Sequence, residues 1–336
     1  MRGIRKILIA VILLGFAGIA GAVGPMTLAR TGDLYSVSTV DNQVVVTARY
    51  ADGTVSELFV PQSAAAVEDS LQVGVDPATG ALYVLWQKKT EMEARLRLAG
   101  YLDGTWIGPI TFAGNDGTAA ANPQMIIHRS VSTYDEATEE GEEPAEVKIA
   151  TTFIHLAWWS RASEDEIGAA QYMAVPVDDD GVPLFRDVEP ISLTDFLPYG
   201  IACFDIGPAE NLEHPKLLID PQTGFPAVFA TDLNSCLFQI FESRPEVVVD
   251  SMTKRRRQII ILRSPSTVAL RPDLPLAATK IEVGSGLKLI MHWDGEEDLL
   301  NYLELDQEGL SETKSLPLGE KLSHEQAVEL IRGLTN

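Results

Sequence analysis

The chain has 336 residues, of which 48 are acidic and 26 basic, giving a net charge of −22 at neutral pH. So acidic a surface repels nucleic acid and anionic lipid, and neither is an expected partner. With 46% hydrophobic residues the chain has material for a sizeable core, arranged as one large repeat domain or two ordinary ones.

The N-terminus reads Met1-Arg2-Gly3-Ile4-Arg5-Lys6 and then runs uncharged and apolar over residues 7–22, ending Ala20-Gly21-Ala22. A basic start, an apolar centre and a small-residue ending make a secretory signal peptide over residues 1–22, cut before Val23. The expected product is secreted or periplasmic, with no membrane span in the mature chain; the alternative is an uncleaved N-terminal helix that anchors it. Export makes a disulfide the default state of the two cysteines, Cys203 and Cys236, against two buried free thiols. Their spacing is not that of a redox CxxC or a zinc knuckle.

Residues 34–40, 43–50 and 55–60 are β-rich runs separated by Asp41-Asn42 and Asp52-Gly53-Thr54, which reads as a meander of hairpins. A repeat follows. Asp76-Pro77-Ala78-Thr79-Gly80 is answered by Asp220-Pro221-Gln222-Thr223-Gly224, each between two apolar runs. Second strands are predicted at LYVLW (82–86), IHLAW (154–158), PAVFA (226–230) and LIMHW (289–293), with VVVTA (44–48) as a fifth. First strands at 123–127, 215–219 and 275–278 open on Pro123, Pro215 and Pro275. Third strands fall at 95–101, 169–175, 236–241 and 300–305, and fourth strands at 106–112, 188–193, 258–262 and 313–318. Four antiparallel strands per unit, in series, predict an all-β fold, a single β-propeller over residues 23–320. It has five blades, or six if an irregular stretch hides another. A capping-box pattern, Ser323-His324-Glu325-Gln326, followed by Ala327, Val328, Leu330 and Ile331 predicts a short C-terminal α-helix within 321–336.

The third strand of the second unit runs into Tyr101-Leu102-Asp103-Gly104-Thr105-Trp106, and Asp179-Asp180-Gly181 and Asp306-Gln307-Glu308-Gly309 stand at the corresponding turns. With proline-led first strands and second strands that end in Trp, this scheme resembles the sialidase-like, BNR or Asp-box β-propellers. The opening Ser of the S-x-D-x-G-x-T-W pattern and one spacer are missing. The resemblance therefore implies the architecture and transfers no activity.

Residues 135–146, DEATEEGEEPAE, form an acidic insert between a first and a second strand, expected to be solvated. Lys254-Arg255-Arg256-Arg257 is the sole basic cluster beside a strand, and it is read as charge that blunts an outer edge.

In a propeller, the turns between second and third strands gather at one end, with the blade-to-blade connections. Here they are residues 87–93, 159–166, 231–235 and 294–298. The ligand-binding candidates are Trp159, Arg161, Asp232, Asn234, Asp294 and Glu296, an aromatic plate with fixed polar groups that suits a protein or carbohydrate of the cell envelope or exterior. The leading expectation is an exported binding or scaffold module. The alternative is a sialidase-like glycoside hydrolase, which needs an arginine cluster, a nucleophilic Tyr and an acid/base carboxylate. Arg161, Arg263, Arg271 and Tyr199 would have to supply the first two. His128, His155, His214, His292 and His324 are dispersed without H-x-H or HExxH spacing, so neither a metal nor a cofactor is expected.

Overall fold

A computed structural model describes residues 26–91, 93–115, 117–136, 145–161, 169–192, 216–220, 223–232, 237–249, 255–263, 266–269, 276–283, 287–293, 299–306, 308–319, 322–323, 326–327 and 330. Cys203 and Cys236 lie outside them, as do residues 1–25, so the expected disulfide and the expected signal peptide both fall outside the described residues.

The described chain forms five antiparallel sheets in sequence order, each a meander. Blade 1 holds β1 (Met26–Leu28), β2 (Leu34–Val40), β3 (Gln43–Arg49) and β4 (Val55–Phe59). Blade 2 holds β5 (Gln72–Val75), β6 (Leu82–Lys89), β7 (Ala94–Leu102) and β8 (Thr105–Ala113). Blade 3 holds β9 (Ala119–Glu136), β10 (Ala145–Arg161), β11 (Ala169–Val177) and β12 (Ile191–Ser192). Blade 4 holds β13 (Lys216–Ile219), β14 (Pro226–Asp232), β15 (Leu237–Val249) and an outer strand broken into β16 (Arg256–Leu262) and β17 (Ser266–Ala269). Blade 5 holds β18 (Leu276–Val283), β19 (Leu287–Trp293), β20 (Leu299–Asp306) and a similarly broken pair, β21 (Gly309–Leu310) and β22 (Lys314–Pro317). The innermost strands β1, β5, β9 and β13 neighbour one another in that order. This is the β-propeller architecture, with blades in series around their first strands.

Three differences from the sequence reading have physical causes. Met26–Leu28 pairs with β2, so VVVTA (44–48) is the third strand of blade 1 rather than its second. Pro123 does not open its strand. It sits at a register shift in β9 opposite Trp158, beside Asn122 at φ +51°, where a bulge accommodates a residue without an N–H. The fourth strand of blade 3 shrinks to Ile191–Ser192, because the chain first makes a 3₁₀ turn over Phe185–Asp187. At the C-terminus, the Ser323 N–H donates to Gln326 Oε1, the Gln326 N–H donates to Ser323 Oγ, and the Ala327 N–H donates to the Ser323 carbonyl. The rest of the helix expected within 321–336 falls outside the described residues.

The second strands of blades 2 and 3 read as continuous apolar runs because both of their faces are buried. From β6, Leu82, Val84 and Trp86 pack against Val37, Val44 and Val46 of blade 1, while Tyr83 and Leu85 pack against Ile154, Leu156 and Trp158 of blade 3. From β10, Ala157 turns the other way, onto Leu217, Val228 and Phe241 of blade 4. Blades 2 and 3 are thus each the filling between their neighbours, as a repeat fold requires.

The recurring Asp-Pro-x-Thr-Gly segments make the same turn between first and second strands. The Gly80 and Gly224 N–H groups donate to the carbonyls of Asp76 and Asp220, the Thr79 and Thr223 hydroxyls donate to the aspartate Oδ2 atoms at 2.7 and 2.9 Å, and both glycines have positive φ, +78° and +70°. A side chain is disfavoured at that φ, which is why each turn ends in glycine. Asp76 does more: buried, it also accepts from the Ala78 N–H and, at 2.9 Å, from the Thr152 hydroxyl of blade 3.

Candidate functional site

The meander places the turns of each blade alternately at two ends. One end gathers the turns between second and third strands and the connections between blades. The opposite end gathers the Asp-Pro-x-Thr-Gly turns, the Asp103-Gly104 turn between β7 and β8, and the Asp178–Gly181 turn after β11.

At the first end, β10 finishes at Arg161 and β14 at Asp232. Trp159, two residues before the end of β10, is half-buried against the cluster of Ala157, Ala170, Tyr172 and Leu217. Its ring is therefore held by the joint between blades 3 and 4, with part of its surface left over. Only the backbone of Arg161 and Asp232 is described. Asn234, Asp294 and Glu296 lie outside the described residues, and so do Tyr199 and Arg271. Arg263 is exposed but does not reach this end: it sits in the break between β16 and β17, halfway along the outer edge of blade 4, where its N–H donates to the Glu242 carbonyl. The arginine cluster needed for a sialidase-like site thus loses Arg263.

Behind Trp159 the joint between blades 3 and 4 carries a buried polar chain. His155, fully buried, has its Nδ1 2.7 Å from the Tyr172 hydroxyl, which also bonds Ser243, and the Ser243 hydroxyl donates to the Pro226 carbonyl. With the Ser243 proton committed to Pro226, Tyr172 donates to Ser243 and accepts from His155 Nδ1–H. His155 Nε2 then holds a lone pair with no hydrogen-bond partner. Burial, with His128 nearby, pushes the His155 pKa down to about 3, and burial raises that of Tyr172. Burial also lowers His128, whose ring stands edge-on to Phe225 at 5.7 Å. Enclosed on all sides, this chain reaches no solvent-borne substrate, and its role is to order the joint.

At the opposite end two ribbons project beyond their blades. The β9–β10 ladder continues to the pair Glu136 and Ala145, well past the last β10–β11 pair at Thr152 and Val177. The acidic insert is therefore shorter than its composition suggests, residues 135–136 and 145–146 belonging to the ladder. Beside it, β15 and β16 run on together from Ser243 and Leu262 to Val249 and Arg256 after β14 has ended. The two ribbons face each other: Gln258 Nε2 donates to Ser132 Oγ at 2.7 Å, and the Arg256 guanidinium lies over the Tyr134 ring at 4.1 Å. The sequence reading missed these arms. The alternation of Val131, Thr133 against Ser132, Tyr134, matched by Val147, Ile149 against Lys148, Ala150, was the available signal.

Among the described residues no group of three or more His, Cys, Asp or Glu side chains could hold a metal ion, and no helix is long and apolar enough to cross a membrane.

No protein-family model matches the chain, and no curated protein matches it. Among solved structures it is similar to a protein from Lactobacillus plantarum, at 15% identity and a TM-score of 0.38, over 91% of this chain and 73% of that one. It is also similar to a GH43 endo-arabinanase from Bacillus licheniformis, at 12% identity and a TM-score of 0.32, over 86% of this chain and 96% of that one. At such scores neither likeness bears on the activity of this chain. The class defined by the sheets is an all-β propeller protein.

Proposed function

We propose that this protein is an exported β-propeller that works as a binding or scaffold module, taking a protein or glycan of the cell envelope or exterior at the end where Trp159 stands. The observation that carries the reading is Trp159 itself. An aromatic side chain fixed by the joint beneath it loses little conformational freedom on binding, and the part of it that stays exposed can lie against a sugar ring or an apolar side chain. β10 and β14, which end at Arg161 and Asp232, run to this same end. Export is supported by the basic start and the apolar run over residues 7–22, and cleavage before Val23 would release a soluble module. The Asp103-Gly104-Thr105-Trp106 turn, placed between third and fourth strands as in the BNR propellers, supports descent from that group without its chemistry.

The protein, immobilised as bait, is exposed to an envelope extract of its source organism, with parallel extracts treated by protease or by polysaccharide-degrading enzymes. Capture that survives glycan digestion but not protease identifies a protein partner; the reverse identifies a glycan. Capture by wild type that is lost in a folded Trp159→Ala variant supports the assigned end. No capture at all, or capture indifferent to Trp159, contradicts the reading.

A further inference from the structure

The outer strands of the five blades are not equally protected. β8 carries Pro109 and two register shifts, β12 has shrunk to Ile191–Ser192, and the outer strands of blades 4 and 5 are each broken in two. Such features stop a sheet edge from pairing further. β4, the outer strand of blade 1, has none of them. Its sequence VSELF holds no Pro, Gly, Lys or Arg, and it pairs with β3 without a shift from Arg49 and Val55 to Val45 and Phe59. Among the described residues no strand pairs with its other side. The hydrogen bond from the Val60 N–H to the Val44 carbonyl fixes the phase of the ladder. Because antiparallel pairs alternate between bonded and non-bonded, Ser56 and Leu58 turn their backbone groups to β3, and Val55, Glu57 and Phe59 turn theirs to the open edge. Their side chains share the face turned away from blade 2, since Leu58 packs on the other face against the cluster of Val44 and Val46. Val55 and Phe59 are 54% and 52% exposed, and Glu57, exposed between them, makes no ion pair among the described residues.

We propose that the outer edge of β4 is a docking site for an extended segment of a partner protein in which a Lys or Arg stands between two apolar residues at alternate positions. That segment adds to blade 1 antiparallel to β4, exchanging N–H···O bonds with Val55, Glu57 and Phe59. Residues that face one another in such pairs have Cβ atoms about 5 Å apart on the same side of the sheet, so the basic side chain meets Glu57 and its apolar neighbours cover Phe59 and Val55. The overall charge of −22 draws a basic segment toward the surface, and the register decides where it stays. A second copy of β4 is a poorer occupant. Paired antiparallel so that Val55 meets Phe59, two copies set Glu57 against Glu57, and like charges directly opposite destabilise a pair. β4 belongs to blade 1 and Trp159 to blade 3, so the inference stands whether or not the Trp159 end binds its own partner.

The probe is a fluorescein-labelled peptide, Ser-Thr-Val-Thr-Lys-Thr-Val-Thr-Ser, titrated with the purified protein and followed by anisotropy, with a peptide carrying Glu in place of Lys as its counterpart. The Lys peptide is expected to bind saturably and the Glu peptide at least tenfold more weakly. Glu57→Lys, a change on an exposed side chain with its fold checked by circular dichroism melting, is expected to reverse that preference. The V55S/F59S double variant, checked in the same way, is expected to weaken the Lys peptide at least fivefold. N-methylation of the two Val amides and the Lys amide, which face β4 in the proposed register, is expected to cost at least tenfold, whereas N-methylation of the intervening Thr amides is expected to cost less than threefold. Absence of saturable binding, an unchanged preference in Glu57→Lys, or equal losses from the two N-methylation patterns would each overturn the proposal. So would a dimer in light scattering that Phe59→Ser dissolves, which would assign the edge to a second copy.

Discussion

The joint between blades 2 and 3 and the joint between blades 3 and 4 solve the same problem differently. In the first, Tyr83, Leu85, Ile154, Leu156 and Trp158 interlock, and the polar groups at its margins are matched across the gap. Gln72 clasps β9 through Pro123 O and the Met125 N–H, both at 2.7 Å, Gln87 donates to the Ala120 carbonyl, Thr152 donates to Asp76, and the Tyr83 hydroxyl donates to the Gly181 carbonyl at 2.8 Å. In the second joint, Ala157, Tyr172, Val228 and Phe241 make a smaller apolar contact, and His155 keeps a buried nitrogen without a partner. A buried polar atom left unpaired costs stability. Among the described residues the first joint leaves no buried side-chain polar atom unpaired, whereas the second leaves His155 Nε2 and Gln258 Oε1. Both Trp159 and the two arms belong to the second, where the unpaired atoms predict lower local stability, and binding surfaces are commonly drawn from such regions.

The largest break in this comparison is Trp158→Ala, which empties the tighter joint beside Phe112, 5.5 Å away edge-to-face. It should cost about 3 to 5 kcal/mol, read from urea unfolding. Asp76→Ala strips Thr79, Thr152 and the Ala78 N–H of one shared acceptor and should cost about 2 to 3 kcal/mol by the same measurement. A thermal midpoint for Asp76→Ala equal to wild type would show that the cross-blade bond contributes nothing.

The second joint is sharpened by pH. His155 has a folded-state pKa near 3, below that of an unfolded histidine at about 6.5, so the unfolded chain takes up the proton first. Stability from this group is complete above about pH 6.5 and is lost as the pH falls toward 3, at up to about 1.4 kcal/mol per pH unit. His128, also lowered by burial, acts in the same direction. His155→Leu should flatten the stability profile between pH 6.5 and 4 relative to wild type; parallel profiles would remove the imidazole from the account. The smallest effect is expected at the arms. Arg256→Ala should leave the thermal midpoint nearly unchanged, while amide exchange around Tyr134 quickens as the ribbons loosen.

Much of this fold was legible because the second strands carry their burial in their composition. A run such as Leu82–Trp86 has no charged residue and only bulky, largely apolar side chains, so it must be covered on both faces, and stacked blades provide that cover. The Asp-Pro-x-Thr-Gly turns were legible because their chemistry is local, each bond being made within six residues. What was not legible is what depends on a neighbour. Whether Met26–Leu28 is a strand is decided by Leu34–Ser36 across from it, and whether Pro123 sits in a strand is decided by a bulge opposite Trp158. The arms were hidden because acidic composition reads as loop, even though Glu136 and Ala145 still pair. At the candidate site, Trp159 was identified from its type and place in the repeat, but its half-burial against blade 4 follows from packing that no spacing encodes. Arg263 was misplaced because the break between β16 and β17 has no distinctive signature beyond Ser264-Pro265.

The central claim is that the Trp159 end is a binding surface. It is tested most directly by side-by-side capture from the envelope extract with wild type, Trp159→Ala and the arm variant Arg256→Ala, each first shown to melt cooperatively. The account predicts a ligand captured by wild type and by the arm variant and lost with Trp159. A ligand retained by Trp159→Ala would contradict it and move the binding surface elsewhere on the propeller.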